Sequence, residues 1–210
     1  MISLTKSEKP PVLVEKAQEW TRDILEKIAG GMKVGDAVGA RYNHPDIKKR
    51  LLEETFDKCA YCESKITHIA YGDIEHITAK KVDPSLAVDW DNLTIACDKC
   101  NQKKSDNDGV IDPYSDDPGE HLLFLGPILR ARPTSGIGQL TERLLDLNRV
   151  PLVERRLDKI DYALSFLRHA ASVKDERLKS LIEQDALSLC DSCQEYSAAV
   201  SQAVNALYRR

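Results

Sequence analysis

Residues 59–62 read Cys-Ala-Tyr-Cys and residues 97–100 read Cys-Asp-Lys-Cys. Two Cys-x-x-Cys knuckles separated by a loop supply four soft ligands, the set that a tetrahedral structural zinc requires. All four positions, Cys59, Cys62, Cys97 and Cys100, are then filled by thiolate, which leaves no open site for water, so this zinc fastens the fold. Binding energies of order ~10 kcal/mol in small zinc modules suffice to fold a segment too polar to fold alone. The loop between the knuckles encloses Asp73-Ile74-Glu75-His76 and Asp91-Asn92-Leu93, and Asn101 follows the last cysteine.

The rest of the chain is arranged around that stretch. Its 210 residues, with 42% apolar and 30% charged side chains, have the composition of a globular protein,. No apolar run reaches the length of a membrane span, and the first residues lack the basic-then-apolar layout of a secretion signal. A cytoplasmic location is the expectation. Thiols stay reduced there, so paired cysteines are read as metal ligands. The net charge of −4 is unevenly spread. Residues 106–129 carry six acids, Asp106, Asp108, Asp112, Asp116, Asp117 and Glu120, and no base. Long-range steering of nucleic acid is therefore weak, and any such substrate must rely on local positive groups, a metal or a partner.

An arm over residues 1–11 ends at Pro10-Pro11. Leu13, Ala17, Trp20, Ile24 and Ile28 then recur at helical spacing up to Gly30-Gly31. Gly35 and Gly39 imply a turning link. Pro45 starts a second helix with Ile47, Leu51 and Phe56 on its apolar side and Lys48-Lys49-Arg50 on a solvated one. Strands are expected over 71–77 and 92–96, with a loop between them and a helix from Cys97 to Asp106. Short strands follow at 122–125 and 128–129. Helices are expected around Leu140–Leu147 and Leu157–Leu167. Ile182, Ala186, Leu189, Cys193, Tyr196, Val200, Ala203 and Leu207 alternate steps of four and three, a heptad seam suited to a helical hairpin or to self-association. Cys190 and Cys193, a third Cys-x-x-Cys, are read as packing along that seam. The expected class is α+β and mostly helical. Its parts are an N-terminal arm and helices (1–57), a zinc-knuckle core (58–130) and a C-terminal helical docking region (131–210).

His76 is the candidate for proton transfer, since a neutral imidazole takes a proton from water at cellular pH. Glu75 offers a hard oxygen suited to magnesium or manganese. Adjacent residues on a flat strand face opposite sides, so the pair predicts an irregular strand end. Asp73 is a second candidate acid. The Asn101 amide is expected to aim at Glu75. Asn92 is expected to pin the long loop through bonds to backbone. Lys103 and Lys104, about one turn beyond Asn101, are candidates for holding a phosphate.

Cys59-x-x-Cys62, Glu75-His76-Ile77, Asn92-Leu93 and Cys97-x-x-Cys100-Asn101-x-x-Lys104 together resemble the HNH endonucleases of the ββα-metal fold with a four-cysteine zinc. The resemblance implies His76 as general base, Glu75 and Asn101 as ligands of a catalytic Mg²⁺ or Mn²⁺, and Asn92 as the loop-fixing residue. Glu stands where many members have Asp, and Asn101 where the family name implies His. Ile111-Asp112-Pro113, Asp117-Pro118 and Leu144-Leu145-Asp146-Leu147-Asn148-Arg149 extend the likeness to the small nucleases of bacterial anti-phage systems. Nearest are the PtuB-like nuclease subunits of Septu-type defence, which work beside an ABC/SMC-like ATPase (PtuA-like). The implied activity is phosphodiester hydrolysis in DNA. The same chemistry serves RNA such as tRNA, and a zinc-stabilised scaffold without activity is the competing class.

Overall fold

Pro10 and Pro11 fix the backbone at the entry to the first helix, α1 (Pro11–Ala29), in a computed structural model that describes residues 1–66 and 72–208,. Leu13 and Ile24 bury one face of α1, and Gly31, at φ 91°, turns the chain after it. The arm before it is extended and docked. Leu4 is buried and its N–H donates to Pro113 O, while Lys6 Nζ donates to Leu93 O at 2.5 Å and Trp90 Nε1 to Ser7 O at 2.9 Å.

The glycine-bearing link is a five-residue helix, α2 (Val34–Val38), rather than a bare turn, because Ala37 and Val38 reach the core. His44 caps α3 (Pro45–Glu54), accepting the Asp46 N–H at Nδ1. Ile47 and Leu51 face inward. Phe56 does not continue that face. The helix has already ended, and Phe56 and Asp57 take left-handed angles of 55° and 59° that send the chain into the first zinc knuckle.

β1 (Asp73–His76) pairs antiparallel with β2 (Leu93–Ala96), from Asp73 opposite Ala96 to His76 opposite Leu93. α4 (Asp98–Lys104) follows directly and completes a strand–strand–helix unit. β1 is shorter than expected, and position 71 of the expected strand lies outside the described residues. Asn92 belongs to a 3-10 turn over Trp90–Asn92 instead of the strand.

α5 (Pro118–His121), β3 (Leu122–Leu125) and β4 (Ile128–Ala131) form a capped hairpin, its turn made at Gly126 with φ 62°. α6 (Gly136–Leu144) is capped by the Ser135 hydroxyl on the Gly138 N–H, and starts earlier than the leucine spacing implied. α7 (Val150–Ser172) and α8 (Glu176–Ser188) form a helical hairpin, and α9 (Ser197–Tyr208) packs on α7 and β3.

The continuous heptad seam does not exist. Residues 189–196 break it, because Lys58 Nζ reaches out of the zinc segment to Ser192 O at 2.5 Å and Gln194 O at 2.8 Å. Cys193 is therefore exposed on a loop and not packed in a seam. One apolar core, from Leu13 and Ile47 through Leu93 and Ile95 to Leu152 and Val204, draws on all three segments of the chain. The fold is α+β and mostly helical. Among the described residues, no helix is long and apolar enough to cross a membrane.

Candidate active site

The two knuckles bring Cys59, Cys62, Cys97 and Cys100 together so that all four sulfurs lie within 4.8 Å of one another. The first knuckle hangs between α3 and β1, with the Ala60 N–H donating to Ile95 O of β2. The second knuckle is the β2–α4 junction, so closing the site fixes the sheet to the helix. Four thiolates at this separation suit zinc. Arg149, at the start of α7, places Nη2 3.7 Å from Cys100 Sγ and 4.0 Å from Cys97 Sγ. Burial works against its charge, but the neighbouring sulfurs outweigh it and raise its pKa.

A cavity of about 200 Å³ opens where β1 meets α4. Glu75, His76, Asn101, Lys80 and Tyr42 line it. Glu75 and His76 share it without the irregularity expected of the strand. Pairing with β2 runs unbroken to His76, and the strand simply stops there. His76 Nε2 lies 2.9 Å from Ala87 O. A carbonyl only accepts, so Nε2 carries the proton and Nδ1 keeps its lone pair. Burial lowers the His76 pKa to about 4, against the raising effect of that bond. The ring is therefore neutral at cellular pH. The Tyr42 ring meets it edge-on, centroids 4.7 Å apart.

Asn92 holds the loop that carries Ala87. Its Oδ1 accepts the Thr78 N–H at 2.7 Å, and its Nδ2 donates to Thr78 O and Leu86 O. Asp108 adds a second tie by accepting the Ala79 N–H at 2.8 Å.

Asn101 does not bond Glu75. Its Nδ2 donates to Asp73 Oδ2 at 2.9 Å, which leaves the amide oxygen as the group free to ligate,. Lys104 is not available to a phosphate. Its ammonium is fully buried, donates to His76 O at 2.7 Å and pairs with Glu75 Oε1 at 3.1 Å. Lys103 is exposed and pairs with Asp146 at 3.3 Å, away from the cavity lining. The lysine in the cavity is Lys80, whose Nζ lies 3.2 Å from the Tyr42 hydroxyl. Burial raises the Glu75 carboxyl to about 7 in spite of Lys104. Among the described residues Glu75 and His76 belong to no tight cluster of three metal-binding acids, histidines or cysteines; Asp106 also lines the cavity but pairs with Lys81, and the Asn101 amide is the further donor beside Glu75. A carboxylate and an amide oxygen are hard donors and fit magnesium or manganese in kind.

The family description "HNH endonuclease" matches residues 59–107, the span from the first zinc cysteine to just past α4. Residues 59–107 are an HNH endonuclease domain. The chain is thus a nuclease, and its HNH domain is of the zinc-knuckle kind. It is also similar to two curated proteins named "Septu protein PtuB". One, from Bacillus thuringiensis, is 28% identical over 194 residues, covering 90% of this chain and 68% of that protein. The other, from Bacillus mycoides (strain KBAB4), is 31% identical over 144 residues, 51% of this chain and 49% of that protein. The chain thus spans about two thirds of one relative, and the match takes in about half of the other.

Sequence reading missed several residues that shape the HNH domain. Tyr42 sits in Arg-Tyr-Asn-His-Pro and gives no signal, because its place depends on how α2 and α3 fold over β1. Arg149 lies in the Leu-Asn-Arg stretch that carried the wider resemblance, and a cation close to four thiolates is the physical reason to look for one there.

Proposed function

We propose that this chain cuts DNA as the nuclease of a Septu-type anti-phage complex, acting beside an ABC/SMC-like ATPase. The observation that carries the reading is His76, its Nε2–H committed to Ala87 O, facing a cavity shared with Glu75 and Asn101. His76 Nδ1 takes a proton from the attacking water. Asn92 keeps the loop fixed, so that Ala87 O continues to hold the ring in this tautomer. Lys80 holds a phosphate oxygen at the cavity mouth. Lys104 keeps the Glu75 carboxylate in place from beneath. Glu75 and Asn101 would hold a divalent cation, which when bound would supply charge stabilisation for phosphodiester hydrolysis. The similarity to proteins named for Septu supports the defence setting; the ATPase partner is what the sequence resemblance implies.

The test is zinc-loaded protein, alone and with a PtuA-like ATPase, given plasmid and total RNA in Mg²⁺ or Mn²⁺. Plasmid cleavage that falls roughly 100-fold or more in His76→Ala is the expected result. Equal cleavage by that variant removes His76 from the reaction. Degraded RNA beside intact plasmid moves the substrate to RNA.

A further inference from the structure

A second concavity, of about 820 Å³, lies beside the catalytic one. Consecutive residues line the two: Tyr42 the first and Asn43 the second. Lys48 and Lys49 of α3 supply one wall, and Lys65, beyond the first zinc knuckle, also lines the cavity. Two carboxylates, Glu53 and Asp57, share the lining, and Arg50 pairs with Glu53 at 3.4 Å. The lining is therefore net positive in a chain whose overall charge is −4. Positive charge concentrated in a cleft on an acidic protein is a local attraction for phosphate.

Phe56 adds a different kind of group. It lines the same cavity, is 38% exposed and stands at φ 55°. The left-handed angle has a structural cause, since the chain must reverse between α3 and the knuckle. The Asp57 N–H donates to Leu52 O, and Asp57 O accepts from Ile66. That reversal does not call for an aromatic side chain. Glycine or asparagine makes it at less cost, and more than a third of Phe56 is left open to solvent where it stands,. An exposed ring among lysines is the pairing that single-stranded nucleic acid meets, with phosphates on the cations and a base on the ring. A duplex keeps its base faces stacked inside and offers the ring nothing.

We infer that this concavity binds an unpaired stretch of polynucleotide on its way to the catalytic cavity, with phosphates on Lys48, Lys49 and Lys65 and a base face on Phe56. The inference rests on the nuclease reading and adds that the substrate is single-stranded where it enters.

The test is polarisation of labelled dT20, rU20 and a 20-base-pair duplex on the full, zinc-loaded chain, with no divalent ion added so that nothing is cut. The wild type is expected to bind a single strand of either sugar. Replacing Lys48, Lys49 and Lys65 by alanine should weaken that binding tenfold or more. It should also flatten the dependence of log affinity on log salt by about 0.7 for each phosphate that is no longer neutralised. Phe56→Asn, which suits the left-handed angle, should weaken single-strand binding roughly tenfold. The same variant should leave duplex binding unchanged, and Phe56→Tyr should restore single-strand affinity. Bound dT20 should also slow alkylation of Cys193, which lines this cavity, as read by peptide mass. Zinc content and melting temperature serve as the folding control, with Lys49→Glu standing in if the triple variant sheds its zinc. Unaltered single-strand affinity and salt slope in the lysine variants overturn the inference, as does an equal drop for duplex and single strand in Phe56→Asn. These readings need no cleavage, so they stand apart from the fate of His76→Ala, which tests the nuclease chemistry.

Discussion

Glu75 and Lys104 show how a single pair divides the labour of the site. The carboxyl is buried and sits near pKa 7, so at neutral pH it is balanced between its acid and its anion. A metal ligand must be ionised, and a bound cation therefore competes with that proton. Above pH 7 the competition vanishes. Below it, Mn²⁺ affinity should weaken by up to about tenfold per pH unit. Calorimetric titration at pH 6, 7 and 8 reads this directly, and an affinity that is flat across the range would remove Glu75 as a ligand. His76 cannot produce the same effect, since with a pKa of about 4 it stays neutral throughout. Asn92 belongs to the same scale. Asn92→Ala leaves the Thr78 N–H and the carbonyls of Thr78 and Leu86 without their partner. Unsatisfied buried groups cost about 1–3 kcal/mol each, and these three are part-buried, so at the low end of that range chemical denaturation should show a drop of roughly 3 kcal/mol in stability,. Cleavage should fall as well, because the loop carrying Ala87 loosens. Asn92→Asp keeps only the bond to the Thr78 N–H and should lie between the two.

At the scale of elements, the zinc module is the hinge of the fold and Arg149 is its outer support. Two N–H···S interactions from one guanidinium offset charge on the thiolate set,. Groups of this kind typically change metal affinity ten- to a hundredfold. Arg149→Met should therefore release zinc to a colorimetric chelator at least tenfold faster than wild type, and an unchanged rate would make the guanidinium incidental. This module was legible in the sequence because coordination chemistry demands particular side chains at short, fixed spacing. The strand pair and α4 followed from it, being too short to stand without it. What resisted reading were features that depend on distant partners. An apolar step of three and four is indifferent to where the chain turns, so nothing local foretold that Lys58 would hold residues 192 and 194 off the helix axis. Phe56 fits the apolar pattern of α3 by number, yet the helix ends before it. Lys104 has the spacing of a phosphate ligand, but only the packing of α4 on β1 decides that its ammonium points into the protein. Asn101 likewise meets Asp73 and not Glu75 because of register, which spacing does not encode.

The whole molecule is tied together at Glu63, next to the second zinc cysteine. One of its oxygens accepts from the Ser197 hydroxyl at 2.9 Å and from the Ala198 N–H at 3.2 Å, and lies 3.7 Å from Lys58 Nζ. The other meets the Met1 ammonium at 2.6 Å. One carboxylate thus joins the arm, the zinc knuckle and α9, and Tyr196 reinforces the join through Ser64 at 2.9 Å. Burial alone would push the Glu63 pKa up, but the Met1 and Lys58 charges and these donors hold it below the ordinary 4.5. A depressed carboxyl stabilises the fold above its unfolded pKa, and that contribution disappears as pH falls through the folded value. Glu63→Gln removes the charge and leaves Lys58 buried without a counter-ion. At pH 7 the variant should be less stable by about 3 kcal/mol, the scale of a broken buried pair. Acid must erase that difference, because protonating the wild-type carboxylate removes the same charge. Denaturation curves taken at pH 7, 5 and 3 should therefore show the gap narrowing as the pH falls. A gap that stays constant to pH 3 would mean that Glu63 holds the three regions together by its shape and neutral hydrogen bonds, and not by its charge.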